Sequence, residues 1–267
     1  DAVIEFFNNG VDTIESPFTW TLATNLENLV LTGTSHLNGT GNELDNTLSG
    51  NSGNNILDGL LGGDRLMGGL GNDTYIVDNI RDVVTENANE GQDLVQATVN
   101  TTLTNNVEDL TLLGTANING TGNNANNILT GNSGANLLKG LNGNDTLSGG
   151  AGNDTLIGGL GNDRLTGGEG ADQFLFGSGS AFKTSNLGVD TLTDFTKNSD
   201  KIALSKVTYN ALISPVGTLQ TAEFVQINSS LSNELSLVGS SSEKVVYNQT
   251  TGNLFYNPDG ATSGLTN

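Results

Sequence analysis

The chain has 267 residues, no cysteine, a single histidine, and a formal charge of −20 from 29 acidic and 9 basic side chains. That balance argues against nucleic acid and anionic lipid as partners, which reward Lys/Arg patches, and favours cations. It excludes disulfides, thiolate metal sites and any zinc site built on two histidines, and no apolar run reaches the ~18 residues of a membrane span.

The first residues, "DAVIEFFNNG", lack the charged start and apolar stretch of a signal peptide. Phe6, Phe7, Phe18 and Trp20 crowd the opening segment. They pack locally on the first coil, or they form an apolar contact surface for another subunit or a preceding module. His36 sits in "LTGTSHLNGT" with no nucleophile motif beside it and reads as a surface loop residue.

Two periods organise the chain. Laying Asp1 over Asp82 aligns 1–76 with 82–157 without a gap, and 39 of those 76 positions are identical. Such internal self-similarity is the signature of a repeat architecture. Asp82 stands in mid-module, so a start at Asp1 predicts a segment of a longer chain. Inside each module runs a nine-residue clock. In the first, the loops "GNELDN", "GNSGNN", "GLLGGD" and "GGLGND" end at Asn46, Asn55, Asp64 and Asp73. In the second, six loops end at Asn127, Asn136, Asp145, Asp154, Asp163 and Asp172. Two positions after each ending stands Leu48, Leu57, Leu66, Tyr75, Leu129, Leu138, Leu147, Leu156, Leu165 or Phe174.

Glycine lets a six-residue loop turn sharply and aim its carbonyls inward, and the rest of each nine-residue unit makes a short strand with its middle side chain on one face. Two such units form one coil, and stacking buries the apolar positions that one coil alone leaves exposed. Stacking also sets every second loop over the one before. Each offers a carboxylate and carbonyl oxygens, including those of the leading glycines Gly59, Gly68, Gly140, Gly149, Gly158 and Gly167. Six or more hard oxygens with irregular geometry suit Ca²⁺ better than Mg²⁺ or zinc. Several calcium ions are therefore expected. Asp145/Asp163 and Asp154/Asp172 make Asp/Asp gaps, whereas Asn46/Asp64, Asn55/Asp73, Asn127/Asp145 and Asn136/Asp154 are mixed. Coils ending in Asn46, Asn55, Asn127 or Asn136 either bind weakly or stack by amide ladders without metal.

The G-G-x-G-x-D-x-U-x pattern, dense over 41–76 and 122–176, resembles the calcium-binding RTX (repeats-in-toxin) family, haemolysin-type β-roll proteins. The resemblance implies export from bacteria by a one-step secretion machine and folding on meeting external calcium. Leu44 and Ala125 depart from it, replacing an inner glycine.

Residues 78–114 are ordinary β sequence that should continue the solenoid with wider coils. After Phe176 the clock stops. The segment 189–205 resembles the strand-and-turn that often follows RTX runs. Residues 243–260 read as a hairpin around a Thr-Gly-Asn turn, and "NPDG" within them as a plain turn.

The expected fold is all-β: a parallel β-roll, or β-solenoid, of tandem 81-residue modules with a C-terminal β-rich cap. Its domains are 1–81, 82–176 and the cap at 177–267. The expected function is a secreted, non-catalytic structural or adhesive protein of a surface layer, matrix or filament, extracellular or at the cell surface, assembling end to end. The alternative is the calcium-binding accessory domain of a secreted protease, lipase or polysaccharide-modifying enzyme. Ice binding would need flat Thr/Asx rows over many coils, and "NGTGN" occurs only twice.

Overall fold

A computed structural model describes residues 3, 5, 10–177, 190–196, 198–204, 224–227, 245–248 and 253–256. The described residues form strands and turns, with strands alternating between two faces as the chain winds. One face opens with a five-stranded sheet: β1 (Thr13–Ser16), β3 (Asn28–Leu31), β5 (Thr47–Ser49), β7 (Arg65–Met67) and β9 (Val83–Val84). It continues as a separate six-stranded sheet: β11 (Thr101–Thr102), β13 (Gly120–Thr121), β15 (Leu137–Asn142), β17 (Thr155–Leu160), β19 (Gln173–Phe176) and β21 (Lys201–Leu204).

The other face is one sheet of thirteen strands. It starts with β2 (Trp20–Thr21), β4 (Asn38–Asn42), β6 (Ile56–Leu60), β8 (Thr74–Val77) and β10 (Leu94–Ala97). It runs on through β12 (Asp109–Leu112), β14 (Ile128–Thr130), β16 (Thr146–Ala151), β18 (Arg164–Glu169) and β20 (Asp190–Leu192). It finishes with β24 (Asn253–Tyr256), β23 (Val245–Asn248) and β22 (Phe224–Ile227). Pairing along the roll is parallel, and among the described residues antiparallel pairs occur only where β24 meets β20 and β23. This is a parallel β-roll.

Register follows the clock. Thr47 pairs with Arg65, Ile56 with Thr74, Thr146 with Arg164, and Leu137 with Thr155, each two clock steps on. Through 78–114 the steps change: Thr74 pairs with Leu94, Leu94 with Asp109, and Asp109 with Ile128. The segment stays in the solenoid, with coils both longer and shorter than two clock steps. β20 and β21 extend the parallel ladder past the last glycine loop. The expected hairpin is the antiparallel pair β23–β24.

The clocked apolar residues, from Leu48 to Phe174, are fully buried. Each strand places its middle residue inside and half-exposes its neighbours, as the period of two requires. Burying a leucine contributes about 1.5–3 kcal/mol, realised only when coils above and below close the core. Leu60 (φ 63°) and Leu141 (φ 84°) occupy the left-handed region where the neighbouring loops carry Gly69, Gly150, Gly159 and Gly168. A leucine there accepts strain that glycine avoids.

The 81-residue repeat has a geometric consequence. It contains nine strands, β1 to β9, an odd number, so the second copy lands on the opposite face. β1, β3, β5 and β7 lie in the five-stranded sheet, whereas their copies β10, β12, β14 and β16 lie in the thirteen-stranded one. Successive modules are thus related by a half-turn about the roll axis. At their junction one face is continuous through β8, β10 and β12, and the other breaks between β9 and β11.

Of the opening aromatics, Trp20 packs partly buried against the core and Phe18 is exposed. Phe6 and Phe7 lie outside the described residues. His36 is exposed, and its Nδ1 accepts the backbone N–H of Asn54 at 2.8 Å. Asn117 Oδ1, its copy, accepts from Ala135 at 2.9 Å, so both serve one inter-coil contact.

Candidate metal centre

Every residue at the clock's acidic position is buried, and each is hydrogen-bonded along the roll in one direction. The backbone N–H of one coil donates to the carboxylate of the next. Asn46 donates to Asp64 at 2.7 Å, Asn55 to Asp73 at 2.6 Å, Asn127 to Asp145 at 2.8 Å and Asn136 to Asp154 at 2.8 Å. Asp145 donates to Asp163, and Asp154 to Asp172, both at 2.9 Å. All six expected pairings are brought together.

One oxygen of each carboxylate is satisfied by this bond. The other, Oδ2, is buried without a hydrogen-bond partner in Asp64, Asp73, Asp145, Asp154, Asp163 and Asp172. A buried carboxylate oxygen left unpaired costs several kcal/mol unless a cation or proton compensates it. Each Oδ2 lies against the α-carbon of the glycine that opens its own loop: Gly59, Gly68, Gly140, Gly149, Gly158 or Gly167. At Gly140 and Gly149 a carbonyl oxygen from the coil above, that of Gly158 or Gly167, converges on the same spot. A β-carbon would fill it. Orphaned carboxylate and carbonyl oxygens in a space kept open by glycine form the hard-oxygen donor set that Ca²⁺ takes.

The Asn-ending coils keep the same frame, with the side-chain oxygen of Asn46, Asn55, Asn127 or Asn136 and a carbonyl of the next coil beside the opening glycine, but their polar atoms are satisfied within the protein. Asn46 Oδ1 accepts the N–H of Asn42 at 2.7 Å, and its Nδ2 donates to the carbonyls of Leu26 and Glu27 at 3.0 and 3.2 Å. Asn127 does the same with Asn123, Val107 and Glu108. Nδ2 of Asn55 donates to the Leu37 carbonyl at 2.8 Å, and that of Asn136 to Ile118 at 2.7 Å. In each of these loops a second asparagine (Asn42, Asn51, Asn123 or Asn132) also donates its amide to two carbonyls of the preceding coil. Amide hydrogens face these carbonyls, the partner a cation would otherwise supply.

The ladder extends beyond the clocked residues. Asp64 donates to Asp82 at 3.0 Å, Asp73 to Asp93 at 2.7 Å, Asp163 to Asp190 at 3.0 Å and Asp172 to Asp200 at 3.0 Å. Asp93 in turn donates to Glu108 at 3.0 Å. These acceptors lack the glycine frame, and most break the clock's spacing. The module repeat is the signal that could have found two of them: Asp82 overlies Asp163, and Asp93 overlies Asp12, whose N–H likewise meets a glutamate, Glu27.

Burial pushes these carboxyls up, against the pull of the donated N–H: Asp145 to about 7, and Asp64, Asp73 and Asp154 to about 6. Asp163 and Asp172 are raised for the same reason. A folded-state pKa above the unfolded value stabilises the metal-free roll at pH below about 4, and that stability is lost as pH rises through 6 to 7. In EDTA, circular dichroism should therefore show β content rising as pH falls from 8 to 5. In calcium the trend should reverse, because protons compete with the ion for the same oxygens.

The family model of the RTX calcium-binding nonapeptide repeat (four copies) matches residues 40–75, 121–156 and 148–181. No curated protein matches the chain. Fold and donor set together define a calcium-binding parallel β-roll. Residues 40–75 and 121–181 thus carry RTX calcium-binding nonapeptide repeats.

Proposed function

We propose that this protein is a non-catalytic, calcium-hardened structural module of an extracellular or cell-surface assembly, in which Ca²⁺ sits between Asp-ending loops and the Asn-ending coils close without it. The observation that carries this reading is the ladder through β8, β10 and β12, which crosses the module boundary without a break. Modules related by a half-turn can add along one axis while the core stays continuous, which is how a filament or stalk grows. Secretion belongs to the same reading. Loops of this kind bind at about 10⁻⁴ to 10⁻³ M, so they fill only where calcium is millimolar.

Among the described residues β1 and β2 end their sheets, with exposed Phe18 close by in sequence. An open strand edge with an apolar side chain invites pairing with another chain. Contact between unlike ends gives an open fibre unless its rotation closes a ring. In millimolar calcium the wild-type chain should scatter light as extended oligomers, and Phe18→Ser should reduce their length without loss of β signal. A wild type that stays monomeric at high concentration in calcium would remove the assembly role.

A further inference from the structure

Glu86 lies outside the glycine clock, just past the module boundary at residue 81, in the segment that leads from β9 into β10. It is 7% exposed, and no N–H or hydroxyl donor reaches either carboxylate oxygen, the one side-chain neighbour at hydrogen-bonding range being the Glu90 carboxylate. One of its oxygens lies within 4.8 Å of one carboxylate oxygen of Asp73 and one of Asp93, both residues 1% exposed. Oδ2 of each aspartate is also buried without a partner. The charged neighbours acting on Glu86 are all carboxylates: Asp93, Asp73 and Glu90. Three buried negative groups facing one another with no basic partner cost far more than a folded domain can spare.

We propose that Asp73, Glu86 and Asp93 form a calcium site that takes one ligand from the last nonapeptide loop of the first module and two from outside the glycine clock, and that clamps the first module to the second. Three carboxylates on a hard divalent ion give a site richer in charge than a loop gap built on two aspartates and carbonyls, and ligand charge raises calcium affinity. Its place in the fold gives it a purpose. At this junction one face of the roll is interrupted, and a groove of about 520 Å³ lined by Ile80, Asp82, Thr101, Thr121 and Lys139 opens there. The thirteen-stranded sheet alone carries the ladder across. Asp73 precedes β8, Asp93 precedes β10, and these strands are paired. An ion held by both, with Glu86 closing it, ties the two coils where the opposite face does not.

The arrangement recurs in part. Glu5 and Asp12 overlie Glu86 and Asp93 in the module repeat. Asn25 donates to the Glu5 carbonyl as Asn106 does to that of Glu86, both at 3.1 Å. Asp12 Oδ2 is again buried and unpartnered.

Native mass spectrometry of the full chain in calcium tests the site. Glu86→Gln, which keeps shape and removes charge, should carry one ion fewer than wild type, and so should Asp93→Asn, whose Oδ1 can still accept the Asp73 N–H. In calcium both variants should melt lower than wild type. In EDTA, with trimethylamine N-oxide holding the metal-free roll folded, both should melt higher, because a repulsive charge is gone. A residue important only for packing would shift both melts the same way. An unchanged ion count, or shifts of one sign in both conditions, overturns the junction site. If Asp163→Asn loses an ion while Glu86→Gln and Asp93→Asn do not, the junction site alone fails. If wild type carries none, the loop sites fail with it.

Discussion

Chelating calcium at pH 7.5 should unfold the roll. With the ion removed, six clocked aspartates keep an unpartnered, buried Oδ2, and a chain of formal charge −20 adds long-range repulsion. Little opposes this, since the one ion pair among the described residues is the exposed Arg81–Asp45 contact at 3.5 Å. A site filled at 100 times its Kd adds about 2.7 kcal/mol to folding, so a few sites account for a typical domain's whole stability of about 5–15 kcal/mol. Far-ultraviolet circular dichroism should change from β to largely disordered in EDTA and return in millimolar Ca²⁺. A β spectrum indifferent to chelation at neutral pH would mean that the core leucines suffice.

The second large effect separates the aspartates from the asparagines. Asp163 completes the gap with Asp145, and its Oδ2 rests on Gly158. Asp163→Ala removes a ligand and Gly158→Ala puts a methyl group where the ligand points, so each should raise the calcium midpoint for folding about tenfold, or ~1.4 kcal/mol. Asp154→Ala should act alike through the gap with Asp172. Asn46→Ala and Asn55→Ala instead remove amide bonds to carbonyls. They should cost about 1–3 kcal/mol of stability whether or not calcium is present, with a smaller shift in calcium midpoint. A calcium titration of all five variants by circular dichroism decides. Equal midpoint shifts across aspartates and asparagines would contradict the division of roles.

Periodicity made most of the roll legible. A leucine two positions after every clocked Asp or Asn can be buried only by stacking, and Leu48, Leu57, Leu66, Leu129 and the others are buried as that demands. The pairings of Asp145 with Asp163 and of Asp154 with Asp172 followed from a coil of two clock steps and are present. Asp82, Asp93, Asp190 and Asp200 were missed because glycine spacing alone identified a ligand. None has a glycine five positions before it, as every clocked aspartate does, and backbone pairing rather than sequence distance aligns them. Asn42, Asn51, Asn123 and Asn132 were missed for a related reason. They keep the nine-residue period, each four positions before a clocked asparagine, but spacing alone does not disclose that an amide donates to carbonyls of the coil before. The half-turn between modules lay in the arithmetic, since nine clock steps make an odd number of strands, but only the division into sheets exposes it.

If aspartate, and not asparagine, at the clock position holds calcium, a crystal structure at millimolar Ca²⁺ with ions located by anomalous scattering will show the division loop by loop. Anomalous peaks should lie between the Asp145 and Asp163 loops and between the Asp154 and Asp172 loops, beside the orphaned Oδ2 atoms. No peak should lie against the amide groups of Asn46, Asn55, Asn127 or Asn136. Peaks at those amides, or none in the two Asp/Asp gaps, would mean that charge at the clock position does not select the calcium-binding loops.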